Sequence, residues 1–198
     1  MTRDEAYKLM TEMLQSKNLQ KHGLAVEAIM KALCRELKNR LASQGVPLEP
    51  KEFDEEEWTI VGLLHDADYE LVEKDPTRHT LVTAEKLRFL NASDRIINGI
   101  KAHHDGIKDS RDNLMEKSVY AADELSGLIT AVALVRPDKK LSSVTVESVM
   151  KKFPQKNFAA GANREQILAC ERELNIPLEE FVCIALKAMQ GISDELGL

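Results

Sequence analysis

The stretch Asp54-Glu55-Glu56-Glu57-Trp58-Thr59-Ile60-Val61-Gly62-Leu63-Leu64-His65-Asp66 decides how this chain folds. Asp54 followed by Glu57 is a helix N-terminal signature, and Trp58, Ile60, Val61, Leu63 and Leu64 are so densely apolar that the helix is expected to be buried on most sides. His65-Asp66 then falls at its C-terminal end, in the core. An ionised carboxylate buried there costs several kcal/mol unless a cation or a full set of hydrogen bonds compensates it. A metal ion would meet that need. The plain alternative has His65 bonded to a backbone carbonyl while Asp66 caps a loop.

Outward from that stretch the pattern stays helical. Upstream, a Thr2-x-x-Glu5 capping box opens an amphipathic helix with Ala6, Leu9, Met10, Met13 and Leu14 at helical spacing. Val26, Ile29, Met30, Leu33, Leu37 and Leu41 mark a long helix starting near His22, and Gly45, Pro47 and Pro50 end it in a loop. Downstream, Asp75-Pro76-Thr77-Arg78 reads as a turn and helix start leading into His79 through Leu90. Ser93 or Asp94 caps a short helix that ends at His103-His104, and Leu114 to Val135 forms another long helix before Pro137. Shorter helices are expected near residues 145–152, 162–174 and 178–195. Only Ser143 to Val149 alternates with period two, and it is short and poor in aromatics. The fold class expected is all-α.

Composition narrows the function classes. The 198 residues, 43% hydrophobic and 30% charged, suit one domain, or a core with a small appendage, and exclude disorder as the main state. The longest apolar run, Leu125 to Val135, is about half of what a bilayer span needs. No apolar leader follows Met1, so a cytoplasmic protein without a membrane partner is expected. Cys34, Cys170 and Cys183 have no Cys-x-x-Cys spacing and read as reduced helix residues. A net charge of −6 argues against non-specific nucleic-acid binding, and the aromatics do not interleave with basic residues as stacking platforms would. Charge is uneven, however: residues 136–164 hold seven basic and two acidic side chains, so this segment carries +5 and the remainder −11.

Every histidine falls at a helix end or on a helix face expected to be buried. His22 opens one helix, His65-Asp66 closes the next, His79 opens a third and His103-His104 closes a fourth. Asp123 lies inside a fifth, on a face made apolar by Ala121, Ala122 and Leu125. That order, in a helical chain, resembles the HD superfamily of metal-dependent phosphohydrolases, over roughly residues 19–135. His22, His65-Asp66 and Asp123 match the pattern that names the family, and His79, His103 and His104 match the insertion of its two-metal members. The run from Asp123-Glu124-Leu125-Ser126-Gly127 to Arg136-Pro137-Asp138, with Lys151-Lys152-Phe153 and Phe158-Ala159-Ala160-Gly161, is similar to a bacterial subgroup of predicted hydrolases, which extends the likeness to nearly the whole chain.

The resemblance implies an HD-type helical bundle as one domain over residues 1–198, with a metal-binding core at about 19–135 and a helical C-terminal lobe at about 140–198. It implies that His22, His65, Asp66 and Asp123 hold one ion and Asp66, His79, His103 and His104 a second, with Asp66 bridging. Imidazole and carboxylate donors without thiolate suit divalent Fe, Mn, Zn or similar ions, with Mg possible. Two such ions about 3.5–4 Å apart can share a hydroxide that attacks a phosphoryl group in line. Adjacent histidines point about 100° apart on a regular helix, so His103 and His104 reach one ion only if the helix unwinds. Otherwise His104 donates to a leaving group or supports a carboxylate.

The chain also departs from the family. Many two-metal relatives continue His-Asp with Ile-Gly-Lys, whereas this sequence reads His65-Asp66-Ala67-Asp68, so a cation facing the phosphate is missing and substrate class is not inherited. Asp68 is a candidate catalytic proton acceptor, an orienting partner for a ligating histidine, or a solvent-facing cap. The basic segment is a candidate replacement for the lost cation, with Lys156 and Arg164 favoured as substrate-binding residues because they flank the small-residue stretch Ala159-Ala160-Gly161-Ala162. The expected function is hydrolysis of a small phosphate ester (a nucleotide, phosphomonoester or phosphodiester) by a metal-bridging hydroxide. The alternatives are a di-iron oxygenase with the same ligand set and a non-catalytic nucleotide-sensing module.

Overall fold

Local capping rules start the first three helices. In the computed structural model, which describes residues 1–198, Thr2 and Glu5 form the reciprocal capping box of α1 (Arg3–Met13). Ser16 accepts the Leu19 N–H and starts α2 (Lys17–Ser43), and Asp54 accepts the N–H groups of Glu56 and Glu57 at the head of α3 (Glu55–Leu64). The long helix therefore begins before His22, which lies inside its second turn. Five helices follow: α4 (Leu81–Phe89), α5 (Asp94–Ala102), α6 (Leu114–Leu134), α7 (Val146–Lys152) and α8 (Arg164–Ile167). The chain ends with α9 (Ala169–Leu174), α10 (Leu178–Gln190) and α11 (Ser193–Leu196). There are no strands; the period-two stretch is a 3-10 turn (Leu141–Ser143) followed by the Thr145-capped start of α7.

Three of the expected helices have different bounds in the structure. His79 does not open α4, which begins at Leu81 after Thr80 in a left-handed conformation (φ 68°). The N–H groups of Thr80 and Thr83 are accepted instead by Asp68, from the preceding turn, so a distant carboxylate does the work of a local cap. The helices expected at 162–174 and 178–195 are each interrupted, at Leu168 and at Gly191-Ile192.

The helix α3 is the centre of the molecule. Every residue from Trp58 to Leu64 is buried, against α1, α2 and α5, and each large apolar side chain contributes about 1.5–3 kcal/mol by leaving water. Two glycines let α2 and α3 touch backbone to backbone. A Cβ on Gly62 would stand 2.8 Å from the Val26 carbonyl oxygen, and one on Gly23 would stand 2.9 Å from that of Leu63. This close crossing brings His22 beside His65. The C-terminal helices belong to the same core: α10 packs on α2 and α6, α9 on α6, and Phe181 and Met189 are fully buried. No helix is long and apolar enough to cross a membrane.

Candidate metal centre

Five helix ends or faces deliver one cluster. His65 caps α3 and Asp66 follows it, His79 precedes α4, His103 caps α5, and His22 and Asp123 project from α2 and α6. The ligand atoms form two groups, His22 with His65 and Asp123, and Asp66 with His79 and His103. Within the first, the Nε2 atoms of His22 and His65 are 3.1 Å apart, and Asp123 Oδ1 is 3.0 Å from His22 Nε2 and 3.5 Å from His65 Nε2. Within the second, the Nε2 atoms of His79 and His103 are 3.0 Å apart. Asp66 joins the groups. Its Oδ1 lies 3.1 Å from His79 Nε2 and 3.4 Å from His103 Nε2, while its Oδ2 lies 3.6 Å and 3.7 Å from those of His22 and His65.

Hydrogen bonds at the far side of each ring determine what the near side offers. His65 Nδ1 donates to the Gly62 carbonyl at 2.7 Å and His103 Nδ1 to the Ile100 carbonyl at 2.6 Å; carbonyls only accept, so these nitrogens carry the proton. His79 Nδ1 donates to Asp68 Oδ1 at 2.9 Å. Ser126 gives its single hydroxyl hydrogen to the Asp123 carbonyl, so its oxygen accepts from His22 Nδ1 at 3.0 Å. In the neutral rings all four Nε2 atoms then present bare lone pairs, paired at 3.0–3.1 Å, His22 with His65 and His79 with His103. Such a constellation repels itself unless a cation or a proton enters it. The donor set therefore fits divalent ions.

Titration follows from the same geometry. Burial pulls the His65 imidazole down, but Asp66 and Asp123 outweigh it and raise it to about 9. Burial likewise opposes, and Asp66 and Asp68 override, a rise of His79 to about 9. His103, for which burial dominates and the neighbouring His65 adds repulsion, is lowered. Against the cost of burial, the surrounding imidazoles hold Asp66 and Asp123 well below the usual carboxylate range. In the ion-free protein, protons thus take the place the cluster offers to a cation.

Of the seven expected metal ligands, six converge: His22, His65, Asp66, His79, His103 and Asp123. His104 reaches the same cavity but belongs to neither group; α5 ends at Ala102, and the His104 ring turns so that Nε2 donates to the Pro76 carbonyl at 2.9 Å. Asp68, expected as a candidate catalytic group, is fully buried beside the cluster and spends its oxygens on His79, Thr80 and Thr83. It does not line the cavity, and of the roles expected for it the hydrogen bond from His79 Nδ1 matches the orienting partner.

All of the cluster except the fully buried His65 forms the floor of a cavity of about 620 Å³. The C-terminal lobe does fold over it, with Ala159, Gly161, Ala162 and Gln166 in the wall, but not with the cations expected. Lys156 is exposed and lies outside the lining. Arg164 is turned inward: its guanidinium donates to the carbonyls of Phe153, Phe158, Ala159 and Ala162 at 2.6–3.1 Å. A guanidinium consumed by four carbonyls has no donor fork left for a phosphate, so Arg164 shapes the wall instead, holding Ala159 in a left-handed conformation (φ 44°). Three lining residues escaped the sequence reading. Gln166 is buried and donates to the His103 carbonyl at 3.2 Å; Asp105 is paired with Arg111 and accepts from the Tyr120 hydroxyl at 2.9 Å. The third, Glu124, accepts the Asn163 N–H at 2.9 Å, and burial, then the charge of Asp123, push its carboxyl up to about 7. Asp105 and Glu124 had one signal in sequence, adjacency to an expected ligand, and Gln166 had none.

Compared with known proteins, the chain matches the family model of the HD domain over residues 19–128, more than half its length, and it belongs to that family. The HD domain family includes metal-dependent phosphohydrolases. No curated protein and no solved structure matches the chain.

Proposed function

We propose that this protein is a metal-dependent phosphohydrolase that binds two divalent transition-metal ions and releases phosphate from a small phosphate ester. The observation that carries the reading is the pair of three-residue groups joined by the two oxygens of Asp66, each with two imidazole Nε2 atoms 3.0–3.1 Å apart. His22, His65 and Asp123 would hold one ion and His79 and His103 the other, with Asp66 shared. Divalent ions bound there supply charge neutralisation for a phosphoryl group and lower the pKa of a water.

The chain's own residues do the rest. The Nδ1 hydrogen bonds to Gly62, Ile100, Asp68 and Ser126 fix all four rings in the tautomer that leaves Nε2 free. His104 is the residue we assign to proton transfer at the leaving oxygen: with Nε2–H kept on the Pro76 carbonyl, Nδ1 is the free nitrogen, and only the imidazolium, which carries a second proton there, can donate it to the leaving oxygen and return to the neutral ring. Ala159, Gly161 and Ala162 leave space in the wall for the organic part of a small substrate.

Metal analysis of protein purified without chelator, together with phosphate release from a panel of esters in Mn or Mg, tests the proposal. About two equivalents of metal and turnover lost in Asp66→Ala are expected. Less than one equivalent, unchanged by Asp66→Ala, overturns the metal centre. Oxygen uptake by the iron-loaded protein without phosphate release replaces hydrolysis with oxygen chemistry at the same ligands.

A further inference from the structure

The balance of charge around the cavity points to the organic part of the substrate, on the basis of the phosphohydrolase reading above. None of the fourteen lining residues is lysine or arginine. Full phosphate charge can therefore be met only at the floor, where the imidazoles and any ions they hold would face it, and a second or third phosphate would find no cationic side chain on the wall, only the neutral donors Tyr69, His104 and Gln166. Four carboxylates line the cavity, and three of them have cationic or imidazole partners: Asp66 and Asp123 among the histidines, Asp105 with Arg111. Glu124 is the exception. One of its oxygens accepts the Asn163 N–H, and the other has no partner in the protein. A half-buried carboxylate left in this way is at a cost that a cationic group arriving with the substrate would offset, through a charge-assisted hydrogen bond.

We infer that Glu124 selects the substrate: the cavity takes a phosphomonoester whose carbon skeleton bears an ammonium group, which donates to the free Glu124 oxygen, and it discriminates against polyphosphates. The small-residue wall supports this assignment, because Ala159, Gly161 and Ala162 leave room for a short skeleton beside Glu124 without supplying any competing donor side chain.

The test is equilibrium binding and thermal stabilisation of the Mn-loaded full chain, its metal content measured, with phosphoethanolamine against ethyl phosphate and inorganic phosphate against pyrophosphate. Phosphoethanolamine is expected to bind about tenfold more tightly than ethyl phosphate, and pyrophosphate no more tightly than phosphate. In Glu124→Gln, whose amide oxygen can still accept the Asn163 N–H, the first ratio should fall to near one. Equal binding of phosphoethanolamine and ethyl phosphate to the wild type, a ratio untouched by Glu124→Gln, pyrophosphate bound at least tenfold more tightly than phosphate, or no binding by any of the four overturns the inference. Should the variant fail to fold, the two wild-type ratios decide. Phosphate release from phosphoethanolamine is scored separately: the expected binding pattern without turnover leaves Glu124 as the selecting residue and defeats hydrolysis.

Discussion

The floor of the cavity and the wall that faces it use charged side chains in opposite ways. On the floor, four imidazoles and two carboxylates from α2, α6 and the ends of α3 to α5 point their donor atoms at one another. On the wall, beside Phe158 to Ala162, the half-buried Arg164 stays out of the cavity lining and spends four of its five N–H groups on backbone carbonyls. Both regions stand out in sequence, one by its histidines and the other by its +5 charge. Only the first is a convergence. A buried imidazole or carboxylate needs a partner, so the fold has to bring partners to it, whereas a lysine remains hydrated wherever the surface leaves it.

The strongest way to break this comparison is to remove the residue that unites the floor. Asp66→Ala should lose both ions and at least about a thousandfold in phosphate release, because each oxygen of Asp66 faces a different group; Asp123→Ala should lose only one ion. Metal stoichiometry on the two variants reads the difference, and equal losses would mean the groups do not act as two sites. Next in size, Asp68→Asn should weaken one of two Mn sites by about 10–100-fold in a titration, since the amide cannot hold the His79 Nδ1–H and the two Thr N–H groups as the carboxylate does.

On the wall, Arg164→Ala is expected to cost roughly 2–4 kcal/mol in urea denaturation, by leaving four carbonyls without their donor, while the metal content stays at the wild-type value. Lys156→Ala should change neither quantity; a loss of substrate affinity there would restore the basic segment to the cavity.

The smallest expected effect is on pH dependence. His65 and His79 are raised to about 9 in the folded, ion-free protein from an ordinary value of 6.5. Their contribution to stability is therefore fully present below about pH 6.5 and lost as pH rises through about 9. Melting temperatures in EDTA should fall across that window, and those in Mn should rise relative to them, because ions displace the same protons. Parallel curves would show that protons and metal do not share the site.

How much of this was legible follows from how local each cause is. Thr2, Asp54 and Ser93 announced their helices because a cap acts on the next two or three residues. The start of α4 was misjudged because its cap, Asp68, comes from the preceding turn, thirteen residues before Leu81 and fifteen before Thr83. The ligand histidines could be picked out from their places at helix ends and buried faces and from the HD resemblance. His104 could not be resolved, because the Pro76 carbonyl that claims its Nε2 is twenty-eight residues away. Arg164 invited a phosphate reading beside Ala159-Ala160-Gly161-Ala162, and that stretch does line the cavity, but through its backbone and methyl groups.

Sequence alone determined that the chain is helical, that its most apolar helix ends in His65-Asp66, and that imidazoles and carboxylates without thiolate are its donor set. These follow from periodicity and side-chain chemistry, which are properties of short stretches. Tertiary structure decided which atoms face which: that Asp66 divides its oxygens between two groups, that Asp68 serves His79 from behind, and that Glu124 keeps an oxygen free. Those outcomes depend on the backbone crossing at Gly23 and Gly62 and on competition among distant donors and acceptors, and such contests are settled only when the helices pack.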